Sequence, residues 1–312
     1  MNETKVILLC GNRIALPVMR DLVFGGALAA VVIADAPGGF TEQASLLLKD
    51  TAIPVVIVNR TNFVEKIQAL NKKYTPALGL MFSFSFKLPA SVYKLPPKGF
   101  YNIHPGPLPG YRGPDPVFRQ IRNREAYACI TIHKVDDEFD TGQIVMADKI
   151  RLSVTDTHGM LTSRLAELAT RLVGMLIKLA TFDIEIPSRA QDNSRSFYYP
   201  RQSANDITIN WETMDAIAII ALIQACNPWN KGAVTMLNNG IIRILHAYPV
   251  DTLSTQQQIP GTIISIDDHG VTVATINNGM IYLTVIYNEE GFLPASRLKD
   301  FLVSAGMRFT GM

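Results

Sequence analysis

Five short apolar runs, separated by segments of helical periodicity, constrain this chain more than any other feature. They are Lys5 to Cys10 (KVILLC), Ala29 to Ala34 (AAVVIA), Pro54 to Val58 (PVVIV), Ala77 to Phe82 (ALGLMF) and Phe100 to Ile103 (FYNI). None alternates polar with apolar residues, as a strand wetted on one face would; continuous apolar runs suit strands covered on both faces. Between them Ala15 to Phe24, Thr41 to Asp50 and Thr61 to Asn71 read as helices, the last with Phe63, Ile67 and Leu70 on one side. Gly11-Asn12 and Pro37-Gly38-Gly39 mark breaks after the first two runs. The pattern predicts an α/β fold: a mainly parallel, Rossmann-like sheet with helices on both faces. Such sheets put their chemistry beyond the carboxyl ends of the strands.

Further along, Asp115-Pro116 is suited to cap and start a helix over Val117 to Arg122. Ala126 to Val135 and Gln143 to Leu152 read as strands flanking the acidic turn DDEFDTG. Thr155 to Phe182 carries Leu161, Leu165, Leu168, Leu172, Met175 and Leu179 at helical spacing. Composition then shifts. Pro187 to Asp206 is polar and turn-rich, and reads as a linker between a first domain over 1–186 and a second over 207–312. In the second, a helix over Met214 to Gln224 precedes five short strand-like runs, Gly232–Met236, Ile241–Ala247, Thr262–Ile266, Val271–Ile276 and Met280–Ile286. That arrangement suits a small barrel or sandwich.

The 312 residues are 48% apolar and only 18% charged, with a net charge of +2, which excludes a disordered tail or a strongly basic nucleic-acid binder. No uncharged apolar run reaches the ~20 residues of a membrane span, and the start, Met1 to Lys5 followed by five apolar residues, is not expected to be a signal peptide. Cys10, Cys129 and Cys226 are odd in number and widely spaced, which suits a reducing cytoplasm and no disulfide framework.

The stretch NIHPGPLP, residues 102–109, sits where the fifth apolar run ends. Asn102 and His104, two apart on a strand end, point the same way. Pro105, Pro107 and Pro109 fix φ and remove backbone donors, so the following loop is stiff without a sheet to hold it. Asp140 lies in DEFDTG, where an acidic turn residue ordinarily faces water. DDEFD offers oxygen ligands, but no second ligand cluster accompanies it, so no metal is expected. His133 falls in a strand and reads as a packed or edge side chain; His158 reads as a helix cap, and His246 and His269 belong to the second domain.

In combination these fragments resemble the folate-dependent formyltransferase family, which includes methionyl-tRNA and amino-sugar formyltransferases. The likeness runs through KVILLCGN, NIHPGPLPGYRGPDP and VDDEFDTGQIV, and continues in ITINW (Ile207 to Trp211) and NPWNKGA (Asn227 to Ala233). It implies an OB-like barrel for the second domain and transfer of a formyl group from 10-formyltetrahydrofolate, a co-substrate, to a primary amine. It implies that Asn102 donates to an oxyanion, that His104 moves protons, and that Asp140 sits beside His104. A carboxylate there is expected to raise the imidazole pKa. Folate contacts are implied for Phe86, Lys87 and Leu88, for Gly106, Pro107, Leu108 and Pro109, and for Asp136, Asp137, Glu138, Phe139 and Asp140.

Two departures bear on the substrate. Family members often carry Ser-Leu-Leu-Pro where this chain has Gly106 to Pro109, and Pro114 stands where nucleotide-sugar members can carry an arginine. Methionyl-tRNA formyltransferases also carry a long basic insertion after the second strand; here Ala34 to Asp50 is short, with its first lysine at Lys49. From Asp206 onward five Lys/Arg (Lys231, Arg243, Arg297, Lys299, Arg308) face nine Asp/Glu, a net of −4, leaving +6 for the rest. Phosphate neutralisation drives nucleic-acid affinity, so this favours a small or carrier-tethered amine, an amino-sugar nucleotide first, over tRNA.

Overall fold

A computed structural model describes residues 4–34, 39–252 and 257–311. The break expected at Pro37-Gly38 lies outside the described residues. In chain order the elements are β1 (Val6–Cys10), α1 (Leu16–Phe24), β2 (Leu28–Ala34), α2 (Phe40–Leu48), β3 (Val55–Val58), α3 (Phe63–Tyr74), β4 (Leu78–Phe82), α4 (Ala90–Tyr93) and β5 (Phe100–His104). There follow α5 (Pro116–Arg122), β6 (Tyr127–Lys134), β7 (Ile144–Arg151), α6 (His158–Thr181), α7 (Ala204–Ile207) and α8 (Ala216–Ala225). The remaining strands are β8 (Ala233–Leu237), β9 (Gly240–Pro249), β10 (Ile263–Ile266), β11 (Val271–Ala274), β12 (Met280–Asn288) and β13 (Gly291–Pro294).

The chain divides into two compact units. The first holds residues 1–116, 127–151 and 162–199; the second holds 117–126, 152–161 and 200–312. The polar stretch read as a linker therefore splits: residues 187–199 belong to the first unit. Arg189 bridges Ile144, and Tyr198 bridges Arg112. A chain almost without aliphatics can still be held in place when its backbone groups find partners.

The first unit is a seven-stranded sheet in the order β3-β2-β1-β4-β5-β6-β7. The strands from β1 to β5 run parallel, and β6 and β7 are antiparallel additions at one edge. Ile7 and Leu9 of β1 join Ala30, Val32 and Met81 in one core cluster with Ile67 of α3 and Val92 of α4. The alternate residues Val6, Leu8 and Cys10 point to the opposite face and are equally buried. Both faces are covered, as the unbroken apolar runs require.

The second unit is an antiparallel sheet in the order β10-β11-β12-β9-β8, with β13 added on β12. Its two outer strands are joined by residues 306–310: Met236 in β8 bridges Thr310, and Thr262 beside β10 bridges Arg308. This seam closes the barrel, and Phe309 within it stacks on Trp211 with ring centroids 5.6 Å apart. Trp211 donates its indole N–H to Thr235 Oγ1 at 2.9 Å. β13 and the seam were not among the five expected strands; both are short and carry Gly or polar residues that mask strand periodicity. α8 (AIAIIALIQA) packs against β9 with most of its residues buried.

Candidate active site

β5 ends on His104 and pairs with β6 so that Asn102 lies opposite His133 and His104 opposite Thr131. Spacing by two puts all four on one face of the sheet. Asp140 arrives from the turn between β6 and β7 in the left-handed backbone region, φ 59°. For a residue other than glycine that costs roughly 1–2 kcal/mol, so other contacts must hold it there. They do. Its Oδ1 lies 3.4 Å from His104 Nδ1 and 3.6 Å from His133 Nε2, and accepts from Asn102 Nδ2 at 3.3 Å. Its Oδ2 accepts the Gly113 N–H at 2.9 Å. Gly113 can approach because it has no side chain: at φ 116° a Cβ would stand 2.0 Å from the Tyr199 carbonyl oxygen.

The hydrogen bonds set the ring tautomers. His133 Nδ1 lies 2.8 Å from the Lys134 carbonyl, so Nδ1 carries the proton and Nε2 accepts from Asn102 Nδ2 at 3.0 Å. Asn102 thus donates to both His133 and Asp140. His104 Nε2 lies 2.7 Å from the Tyr111 carbonyl and donates to it. Its ring then stands between two acceptors, Tyr111 O and Asp140 Oδ1. Either neutral tautomer leaves one ring nitrogen facing an oxygen, and only the doubly protonated ring satisfies both.

Burial is the largest influence on His104 and, with the nearby His133, pushes its pKa below the ordinary 6.5; Asp140 and the Tyr111 carbonyl push back without prevailing. This corrects the expected rise. The ring is 3% exposed, and desolvation of the cation outweighs one neighbouring carboxylate. Burial alone raises Asp140, but the His104 and His133 rings and the Gly113 N–H outweigh it and hold the carboxyl well below the usual range. The result is a neutral imidazole whose proton-bound form has two waiting acceptors, an arrangement for taking up a proton during a reaction.

Models of the formyl transferase domain match residues 33–176, and models of the formyl transferase C-terminal domain match residues 202–293. A methionyl-tRNA formyltransferase of Methylacidiphilum infernorum is 31% identical over 269 residues, 84% of this chain and 82% of that one. The chain belongs to the formyltransferase family. A second methionyl-tRNA formyltransferase, from a Thermotoga species, is 30% identical over 83% of this chain and 84% of its own. Among solved structures, the N-formyltransferase from Helicobacter canadensis, in complex with folinic acid and dTDP-3-aminofucose, superposes with a TM-score of 0.69 at 17% identity, over 89% of this chain and 98% of that one. HypX from Aquifex aeolicus, in complex with tetrahydrofolic acid, gives 0.65 at 19% identity; the match takes in 95% of this formyltransferase but about half (47%) of HypX.

In this formyltransferase the stretches expected to hold the donor fall as follows. Lys87 Nζ pairs with Glu138 at 3.1 Å, which brings 86–88 beside 136–139. Asp137 accepts from Tyr93 Oη at 2.8 Å, and Asp136 accepts from Thr141 Oγ1 at 2.7 Å, so both are spent on bracing the turn. Phe139 is exposed, whereas Leu88 is buried in the core and offers only its backbone. Phe86 packs on Phe63 and Phe84. Across the site, Thr131 Oγ1 donates to Gly106 O at 2.7 Å and accepts from Leu108 N at 3.4 Å. Pro107 and Pro109 are partly exposed. Gly106 explains one departure: the Cβ of a serine there would lie 2.7 Å from Pro116 Cβ.

Two side chains at the centre were read otherwise from sequence. His133, whose sequence position suggests a packed or edge strand residue, accepts from Asn102 and shares Asp140 with His104. Gln191, in the supposed linker, donates to the carbonyls of Asp140 and Gly142. The only sequence signal for His133 was its position on the strand expected next to the acidic turn; Gln191 gave none.

Proposed function

We propose that this formyltransferase moves a formyl group from 10-formyltetrahydrofolate to a primary amine, with Asn102, His104 and Asp140 as the reacting constellation. One observation carries the reading: a carboxamide and two imidazoles converge on the Asp140 carboxylate, all within 3.6 Å of its Oδ1, at the carboxyl end of β5. His104, neutral through burial, takes the proton that the attacking amine sheds and returns it to the folate N10 as the bond from the formyl carbon to N10 breaks and tetrahydrofolate leaves. The imidazolium so formed lies between Asp140 and the Tyr111 carbonyl. Asn102 turns one Nδ2 hydrogen from its longer bond, to Asp140 at 3.3 Å, toward the carbonyl oxygen as that oxygen gains charge.

The bound donor supplies the formyl group. The residues fit it: 86–88, 106–109 and 136–140 all lie outside strands, so the amide groups that Thr131 and Gln191 do not already hold can meet a pterin edge.

For the acceptor, the net −4 of residues 206–312 and the short segment containing α2 favour a small or carrier-tethered amine, an amino-sugar nucleotide first. Methionyl-tRNA is the second reading, supported by 30–31% identity to methionyl-tRNA formyltransferases over most of both chains. The deciding experiment follows tetrahydrofolate release from 10-formyltetrahydrofolate with dTDP-amino sugars and charged initiator tRNA in parallel. A kcat/KM at least tenfold higher for the amino sugars supports the first reading; the reverse order overturns it in favour of tRNA.

A further inference from the structure

Asp140 is held in its left-handed conformation by a bridge that reaches it from outside β5, β6 and their turn. Gln191 Nε2 donates one hydrogen to Asp140 O and the other to Gly142 O, both at 2.8 Å. Both donors of the amide are therefore spent on the two sides of one turn. Its Oε1 is gripped by Arg112, through Nε at 3.3 Å and Nη2 at 2.8 Å. Arg112 is itself fixed: its N–H donates to Phe197 O at 3.0 Å, its carbonyl accepts from Tyr199 N at 2.8 Å, and Nη2 reaches Asn193 Oδ1 at 2.8 Å.

The two ends of this bridge coincide with the two groups that flank His104. One end carries Asp140. The other lies between Tyr111, whose carbonyl accepts from His104, and Gly113, whose N–H holds Asp140 Oδ2. The groups facing the His104 ring are Asp140, His133 and the Tyr111 carbonyl, and two of these three are tied together through Gln191 and Arg112.

We propose that Gln191, anchored by Arg112, is a positioning residue for catalysis: it fixes the main chain of Asp140 so that the carboxylate stays on His104 and Asn102. The amide is suited to this, since it offers two donors to two carbonyls and one acceptor to a guanidinium, and no charged side chain of the same length does both. The inference rests on the catalytic reading of His104 and Asp140 given above.

The test compares Gln191→Ala and Gln191→Glu with His104→Ala and the unaltered enzyme, by kcat and KM for both substrates, the pH profile of kcat/KM, and thermal unfolding. The Gln191→Glu variant would keep the Arg112 contact yet turn an acceptor toward two carbonyls. Expected for both Gln191 variants is a kcat lowered about tenfold or more with KM for the donor within a few fold of native. The acid limb moves to lower pH, because a His104 parted from its carboxylate loses the influence that favours its protonated form. Native kcat, or a lowered kcat with an unmoved limb, overturns the proposal; the latter marks a merely structural bond. If only Gln191→Glu folds, its limb decides alone, and failure of both to fold also overturns the positioning role. Full turnover by His104→Ala would instead remove the catalytic reading beneath it.

Discussion

His104 Nδ1 and Asp140 Oδ1 face each other across 3.4 Å, and both side chains are almost wholly buried. The pair joins a strand end to a turn 36 residues later, and the proposed acid–base function would make it indispensable. His104→Ala is expected to lower kcat by about 100-fold to 10,000-fold, the usual worth of a positioned proton-transfer group. Steady-state assays of tetrahydrofolate release check this; a loss under tenfold removes His104 from the chemistry.

The pH dependence follows from two depressed values. Burial holds the His104 pKa below its ordinary 6.5, so the acid limb of kcat/KM should have its midpoint below that value. Stability behaves in parallel. Between the lowered folded value and 6.5 the unfolded chain binds a proton at 104 that the folded chain does not, so stability is lost as pH falls through that window. Asp140 adds a second loss as pH drops below its ordinary 3.8, since its contribution is fully present only above that value. Denaturant titrations across pH 3 to 8 should show Asp140→Asn flattening the lower slope and His104→Ala the upper one.

Asn102→Ala removes the proposed oxyanion donor and should cost ~100-fold to 1,000-fold in kcat. Asn102→Asp should do no better, because it places a carboxylate against Asp140, which is 3.3 Å away. Rate measurements on folded variants decide; near-native turnover by either would return Asn102 to a bracing role.

Gly113→Ala tests the packing beneath the site. With φ at 116° and the Tyr199 carbonyl 2.0 Å from the new Cβ, backbone must shift, and the Gly113 N–H shifts away from Asp140 with it. A destabilisation of more than about 2 kcal/mol is expected, read as a lower denaturant midpoint, together with reduced kcat. An unchanged midpoint would mean that the loop moves freely.

Salt separates the acceptors. A compact amine should give a KM that changes little from 50 to 200 mM salt, whereas a grip on several tRNA phosphates would weaken it by orders of magnitude. The KM for the preferred acceptor across that range is the measurement.

The parallel sheet was legible because strands buried on both faces must be apolar throughout, and β1, β2 and β4 are. The place of Asn102 and His104 at a strand end before a proline loop was legible, and the role proposed for them rests on the family resemblance. His133 was not, because a histidine in a strand looks the same whether it packs or meets an amide. Gln191 was hidden by its surroundings: a polar, aliphatic-poor stretch has no periodicity, and its value lies in which carbonyls it reaches. The sign of the His104 shift was also beyond the sequence, since it depends on how completely the ring is dried.

The barrel seam at residues 306–310 has a consequence for synthesis. Thr310 meets Thr235 across 75 positions, so β8 and the Thr262 side must wait with raw edges until that segment has left the ribosome. A nascent chain stalled before it would offer two sticky borders to its neighbours, and translation speed through those codons should govern how much protein is recovered without clumping.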